Sequence, residues 1–261
     1  MAKLSALFSS SKANCILMSS SYGNILVDFG ASFKAVKIAL EELGIAIENI
    51  DAVLVTHEHS DHTKGLKTFT SKCKTPIVSS KKTLDALVEC GAVSQNAVLL
   101  PTESECKIGD IEIKRFCVSH DCVDPAGYKM VLPNGTSAAV CTDLGVVDNT
   151  VTEMLCGCDA VLIESNHDIK MLNCGPYSPE LKMRIASNRG HISNNTCAAL
   201  LKKLFKSGCT RFMLGHLSEN NNTPILAQAS AEAALMDLSA KNGEDYVLKV
   251  ASPTLTTTLY F

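Results

Sequence analysis

Short apolar runs alternate with amphipathic stretches along most of this chain. The runs Leu4–Phe8, Cys15–Ser19, Asn24–Asp28, Ala52–Thr56, Ile77–Ser79, Ile111–Val118, Tyr128–Leu132, Ser137–Thr142, Ala160–Glu164, Phe212–Gly215 and Tyr246–Ser252 read as strands. Helical patterns cover Ser32–Leu43, Lys81–Cys90, Thr150–Leu155, Pro179–Ser187, Ser193–Lys206 and Thr223–Lys241. Gly44 stands where a helix C-terminus favours glycine, and Pro179 and Pro224 where a first turn tolerates a missing N–H. The opening strands come in hairpin style, separated by Ser9–Asn14 and by Ser21–Gly23, whereas later strands are each followed by a helix. This mixture predicts an α/β protein with two mixed β-sheets flanked by helices, a four-layer sandwich. No linker, low-complexity tract or internal sequence repeat interrupts the pattern, so a single domain over residues 1–261 is the simplest organisation.

Composition narrows the setting. With 46% hydrophobic and 20% charged residues, the chain has ample core material and no sign of disorder. Its formal charge of −3 excludes an overtly basic nucleic-acid binder, so a polyanion would have to be met by a local patch. Most of the twelve cysteines sit in apolar runs of a large chain, the pattern of free buried thiols in a reducing cytoplasm. The N-terminal run Leu4–Phe8 is too short for a signal peptide, and no segment approaches the ~18 consecutive apolar residues of a membrane span. A soluble protein is expected, with no membrane partner; nothing points to a protein partner.

The chemistry is concentrated in Thr56-His57-Glu58-His59-Ser60-Asp61-His62, directly after an apolar run. In extended backbone, His57 and His59 point to the same side, and Asp61 and His62 emerge as the chain turns toward a neighbouring point. Four N/O donors in six residues exceed what one ion with an open position needs, and suit two adjacent metals. At this chain's own His and Asp frequencies the spacing arises by chance roughly 2 × 10⁻⁴ times, so it is a specific signal. His120, Asp143 and His216 each stand just past the end of a later apolar run, the same geometry as His57, and complete a candidate donor set.

That order of motifs resembles the metallo-β-lactamase superfamily, whose fold is an αβ/βα sandwich with a dinuclear site at one edge of its two sheets. The resemblance implies that His57, His59 and His120 hold one metal, that Asp61, His62 and His216 hold the other, and that Asp143 bridges them. Ser9–Cys15, Thr56–Leu66, Ser119–Tyr128, Thr142–Gly145, Glu164–Asp168, Arg189–Thr196 and Leu214–Pro224 are similar to the YycJ/WalJ branch, regarded as 5′→3′ exonucleases on duplex DNA. The first of these departs from the branch at Ser10 and Ala13, where glycine is expected. The implied activity is a phosphodiesterase acting on double-stranded DNA ends, in which two metals share a hydroxide that attacks phosphate. Asp61 would orient or take the proton of that nucleophile, and His191 is the candidate proton donor to the leaving oxygen. Substrate contacts are expected from His167, Arg189, Ser193 and Asn194, and Glu164 should orient a donor imidazole. Lys64, Lys67, Lys72 and Lys74, or Lys182, Arg184 and Arg189, could line a groove for the polyanion. An N/O-only donor set suits Zn²⁺ or Mn²⁺, and Fe²⁺ also fits.

Alternatives remain at this level. A thioesterase of the glyoxalase II type or a lactonase would share the metal residues, and a metal-binding scaffold without turnover would keep them unused. A true β-lactamase is disfavoured because Asp143, not a cysteine, holds the bridging position, with Cys141 two residues early. The 72 residues between Asp143 and His216 are too few for a β-CASP insertion, and there is no room for a flavin domain.

Overall fold

The computed structural model describes residues Met1–Phe261. In chain order the strands are β1 (Lys3–Ser10), β2 (Ala13–Ser20), β3 (Gly23–Val27), β4 (Ala52–Leu54), β5 (Ile77–Ser79), β6 (Leu99–Pro101), β7 (Glu105–Ile108), β8 (Ile111–Cys117), β9 (Ala126–Val131), β10 (Ser137–Cys141), β11 (Ala160–Glu164), β12 (Arg211–Gly215), β13 (Val247–Val250) and β14 (Thr257–Tyr260). The α-helices are α1 (Phe33–Glu42), α2 (Ser60–Thr63), α3 (Leu66–Lys72), α4 (Lys81–Glu89), α5 (Asn149–Leu155), α6 (Ile169–Cys174), α7 (Pro179–Ile185), α8 (Asn194–Lys206) and α9 (Pro224–Met236).

The strands form two seven-stranded sheets, ordered β14-β1-β2-β3-β4-β5-β6 and β13-β12-β11-β10-β9-β8-β7. Each sheet is antiparallel on one side and parallel on the other: β14 to β3 pair antiparallel and β3 to β6 parallel, while β7 to β10 pair antiparallel and β10 to β13 parallel. Side-chain alternation divides the core. On β11, Ala160 and Leu162 join the cluster between the sheets, while Val161 and Ile163 face the cluster that includes residues of α5, α8 and α9. A third cluster packs β2, β3 and β4 against α1, α3 and α4. Strands covered on both faces need apolar residues at successive positions, which is why they appear in the sequence as unbroken apolar runs. Three clusters between successive layers make the expected four-layer sandwich. No helix is long and apolar enough to cross a membrane.

Local signals act as anticipated at several ends. Ser32 caps α1 by accepting from the Ala35 N–H, and Gly44 follows at φ +74. Pro179 and Pro224 open α7 and α9. Other expectations change. Ser9–Asn14 is not a turn: β1 continues to Ser10 and β2 starts at Ala13, leaving only Ser11 and Lys12 between them. Ser9, Ser10 and Asn14 are buried because they bond to protein groups; Ser9 Oγ, for example, accepts the His216 backbone N–H at 2.9 Å. The helix expected to reach Lys241 ends at Met236, ahead of Ser239 at φ +59. Strands β6, β7 and β14 and helices α2, α3 and α6 are additional; β6 and β7 carry exposed or half-exposed residues that mask their pattern.

Candidate metal centre

The edge where the parallel strands end collects the polar groups. Asp28 follows β3, His57 follows β4, His120 follows β8, Asp143 follows β10, Glu164 ends β11 and His216 follows β12. Three of these, Asp28, Asp143 and His216, have positive φ, at 62°, 54° and 53°. Such backbone costs about 1–3 kcal/mol per residue and persists only where its surroundings hold it in place. Here they do. His216 is pinned on both sides, its N–H on Ser9 Oγ and its carbonyl by Asn166 Nδ2, and Asp143 is followed by a Leu144 N–H bonded to Glu164 Oε2.

His57 leads out of its strand, and the chain then turns into α2, which brings Asp61 and His62 back toward it. The turn is packed tightly on the β3–α1 loop. A Cβ on Gly30 would lie 1.7 Å from the Asp61 carbonyl oxygen, so only glycine allows this approach. The rings of His57, His59 and His120 converge, with centroids 4.6 to 5.3 Å apart. Donor atoms of His57, His59 and His120 form one group, and those of Asp61, His62 and His216 a second, each within 4.8 Å of one another. Asp143 lies between them: Oδ2 is 3.1 Å from His62 Nε2, and Oδ1 is 3.5 Å from His216 Nε2 and 3.6 Å from His120 Nε2. All seven residues named from the sequence thus meet at one place.

Outer partners fix the rings. Asp28, buried, accepts from His62 Nδ1 at 2.7 Å and from the Thr56 backbone N–H at 2.8 Å. Thr56 Oγ1 also lies 3.0 Å from His57 Nδ1. His120 Nδ1 donates to the Gly190 carbonyl. Glu164 Oε1 accepts from His191 Nδ1 at 2.7 Å and from His216 Nδ1 at 3.0 Å. For His62, His120 and His216 the bonded Nδ1 leaves Nε2 facing the Asp143 carboxylate.

The electrostatics of the two groups differ. Burial pushes the pKa of His57 well below the usual imidazole range, and that of His120 down as well. Burial opposes charging His216 too, but Asp143, Asp61 and Glu164 outweigh it and raise its pKa to about 10. His62 is also raised, by Asp143, Asp28 and Asp61 against its burial. Burial works against the charge of Glu164, yet His191 and His216 hold it down at about 2, and Asp61 and Asp143 are lowered by the imidazoles around them. Without a cation, protons on the histidines balance the carboxylates.

A divalent pair fits these residues. His57 Nε2 and His216 Nε2 are buried with no hydrogen-bond partner, and such orphans cost about 1–3 kcal/mol each unless something occupies the space they face. The donors are imidazoles and carboxylates without thiolate, a set that accepts Zn²⁺, Mn²⁺ or Fe²⁺.

The remaining expected residues fall in different places. His191 lies between the rings of His120 and His216, at centroid distances of 5.1 and 5.3 Å. His167 is buried beside it, with Nδ1 unpartnered, and both line a 340 Å³ cavity with Asn188 and Ser193. Ser193 Oγ caps α8, and the Asn194 side chain is enclosed in a network with Ser165 and Asn222. Arg189 directs Nε and a terminal nitrogen at the His120 carbonyl, 3.4 Å away. Lys72 lies over the Phe33 ring and Lys74 reaches the Asn96 carbonyl. Sequence reasoning missed Asp28 and Asn14, whose Nδ2 is 3.1 Å from His62 Nε2. An Asp at the end of an apolar run, the signal used for Asp143, was equally present at Asp28.

Known proteins resemble this chain. A profile of the beta-lactamase superfamily domain matches residues 23–217. The chain is 32% identical to the exodeoxyribonuclease YycJ of Bacillus anthracis, over 98% of each chain. It is 33% identical to the exodeoxyribonuclease WalJ of Streptococcus pneumoniae serotype 2, over 98% of this chain and 97% of the relative. Among solved structures, Zn²⁺-bound PqqB from Methylobacterium extorquens superposes with a TM-score of 0.69 at 16% identity, covering 98% of this chain and 99% of that one, a likeness of fold. Sheet order, the edge-on histidine and aspartate cluster and these matches agree, and the chain belongs to the metallo-β-lactamase superfamily.

Proposed function

We propose that this metal-dependent hydrolase is a DNA exonuclease that removes nucleotides from the 5′ ends of duplex DNA. The observation that carries the reading is a complete set of seven N/O donors, on two adjacent groups, in a chain coextensive with two proteins named exodeoxyribonucleases. The direction and the duplex preference rest on the resemblance to that branch.

His57, His59 and His120 would hold one divalent ion and Asp61, His62 and His216 the other, with Asp143 shared; Zn²⁺ and Mn²⁺ are the first candidates. When bound, the two cations supply Lewis acidity, making water a stronger acid and offsetting charge on a phosphate oxygen. The protein's residues do the rest. Asp61, on the first turn of α2 and partly open to solvent, would orient the attacking water and take its proton. His191 is anchored through Nδ1 on Glu164; burial opposes its charge, but Glu164 and Asp143 raise its pKa, which favours the proton it would give to the departing oxygen. His167 and Ser193 line the cavity beside His191 and would meet substrate there, whereas Arg189 is bonded to the His120 carbonyl and the Asn194 side chain to Ser165 and Asn222. All twelve cysteines are free, which supports a reducing, cytoplasmic setting.

The test uses purified protein with Mn²⁺ or Zn²⁺, offered a 5′-phosphorylated duplex, bis(p-nitrophenyl) phosphate and a thioester. Nucleotide release from the 5′ end, abolished by Asp61→Ala with the fold retained, is the expected result. Thioester turnover without phosphodiester cleavage would overturn the proposal.

A further inference from the structure

Helix α7 and the loop after it are fastened over the loop that carries His120. Ser119 Oγ donates to the Asn188 carbonyl, His120 Nδ1 to the Gly190 carbonyl, and Arg189 reaches the His120 carbonyl. The chain folds back so closely here that a Cβ on Gly190 would lie 2.2 Å from the Arg184 and Ile185 carbonyl oxygens. One further tie is of a different kind. Arg184 Nε donates to Asp121 Oδ2, and the other oxygen, Asp121 Oδ1, lies 3.3 Å from His120 Nε2, buried and without a hydrogen-bond partner. The Asp121 carboxylate therefore sits between a nitrogen of the metal centre and a guanidinium.

The neighbouring cations are committed elsewhere. Lys182 Nζ donates to the Asn173 carbonyl, Arg189 is turned to the His120 carbonyl, and Lys12 pairs with Glu219. Arg184 engages only Nε, so both terminal nitrogens stay without a protein partner, on a side chain 51% exposed. A guanidinium anchored through Nε presents its two NH₂ groups as a fork, the shape that matches two oxygens of a phosphate. Its charge is reinforced first by the bond to Asp121, and also by Asp143 and Asp61, which places it within the field of the centre.

We propose that Arg184 grips a phosphate of the substrate at the His57/His59/His120 side of the centre, and that Asp121 is its positioning residue. The ligand chemistry is a phosphodiester oxygen pair, on the scissile phosphate or its neighbour. This inference rests on the nuclease reading, because a neutral thioester or lactone offers such a fork nothing to hold.

The experiment compares metal-loaded wild type, Arg184→Ala, Arg184→Lys and Asp121→Asn. Binding of a duplex with phosphorothioate linkages at its 5′ ends is followed by fluorescence anisotropy across a salt series, alongside kcat and KM on ordinary duplex and on bis(p-nitrophenyl) phosphate. Arg184→Ala should weaken duplex binding by about ten- to thirtyfold and lower the salt slope by about one. Arg184→Lys should restore the slope but only part of the affinity, since it keeps the charge and loses the fork. Asp121→Asn should raise KM more than it lowers kcat, keep its metal content, and add little in combination with Arg184→Ala. Loss on both substrates places the fork on the scissile phosphate, and loss on duplex alone places it on the neighbouring one. Wild type that cleaves DNA while Arg184→Ala keeps its binding and salt slope overturns this inference alone. Metal loss or unfolding in Arg184→Ala overturns it too, in favour of a structural strap. Wild type that cleaves no phosphodiester overturns the nuclease reading instead.

Discussion

The two donor groups of the centre are built from similar side chains but balanced differently. In the His57/His59/His120 group, burial lowers the pKa of His57 and His120, which favours neutral rings able to donate a lone pair. In the Asp61/His62/His216 group, carboxylates surround the rings, and His62 and His216 keep their protons well above the usual range. Asp143 and Asp61 raise the pKa of the second pair of rings, and the partner behind each Nδ1 adds to the contrast. His57 and His120 meet an uncharged hydroxyl and a backbone carbonyl, whereas His62 and His216 meet the buried carboxylates Asp28 and Glu164. A carboxylate behind an imidazole raises its basicity and its pull on a cation, so the second group should be the more sensitive to substitutions outside the donors themselves.

The largest break in this comparison should come from Asp143→Ala, which removes the carboxylate facing both groups. Hydrolysis should fall by about a thousandfold or more, and elemental analysis should find both ions depleted. Two ions retained at full occupancy would show that the halves do not depend on a shared oxygen.

Asp28→Asn should separate the groups. Affinity for the second ion should weaken by about ten- to a hundredfold while the first is held normally, read by competition with a chelator. Equal losses at both positions would erase the proposed asymmetry. A smaller and more even effect is expected for Thr56→Val, because Thr56 Oγ1 touches His57 Nδ1 at 3.0 Å and His62 Nδ1 at 3.3 Å. Both affinities should fall by less than about tenfold.

Proton release gives the finest test. At pH 7 a histidine with a lowered pKa is already neutral, while one with a raised pKa still carries its proton and must lose it to bind a cation. Filling the second group should therefore expel protons and tighten as pH rises toward the raised pKa values; filling the first should do so far less. Calorimetry in two buffers of different ionisation enthalpy counts the protons, and equal release from both steps would contradict the contrast.

Legibility followed distance along the chain. His57, His59, Asp61 and His62 lie within six residues, where strand alternation and one helical turn set their relative directions. His120, Asp143 and His216 were readable because each follows an apolar run, although nothing local shows that those strand ends meet. Asp28 and Asn14 were not recognised: their partner His62 is 34 and 48 residues away, and their role exists only through that contact. Ser9–Asn14 misled for the same reason, since polar residues resemble a turn until their bonds to the site are seen.

The sequence by itself determined the layer architecture, because apolar periodicity dictates which faces must be covered, and it determined the donor types, because His and Asp spacing is set by local backbone geometry. Only the tertiary structure decided that the two groups of donors differ in electrostatic balance. It also decided which of several basic residues, Arg184 rather than Arg189 or Lys182, keeps an open fork beside them. Those outcomes depend on buried carboxylates and carbonyls brought together from separate strands and loops, and the effect of a charge depends on what lies within a few ångströms of it.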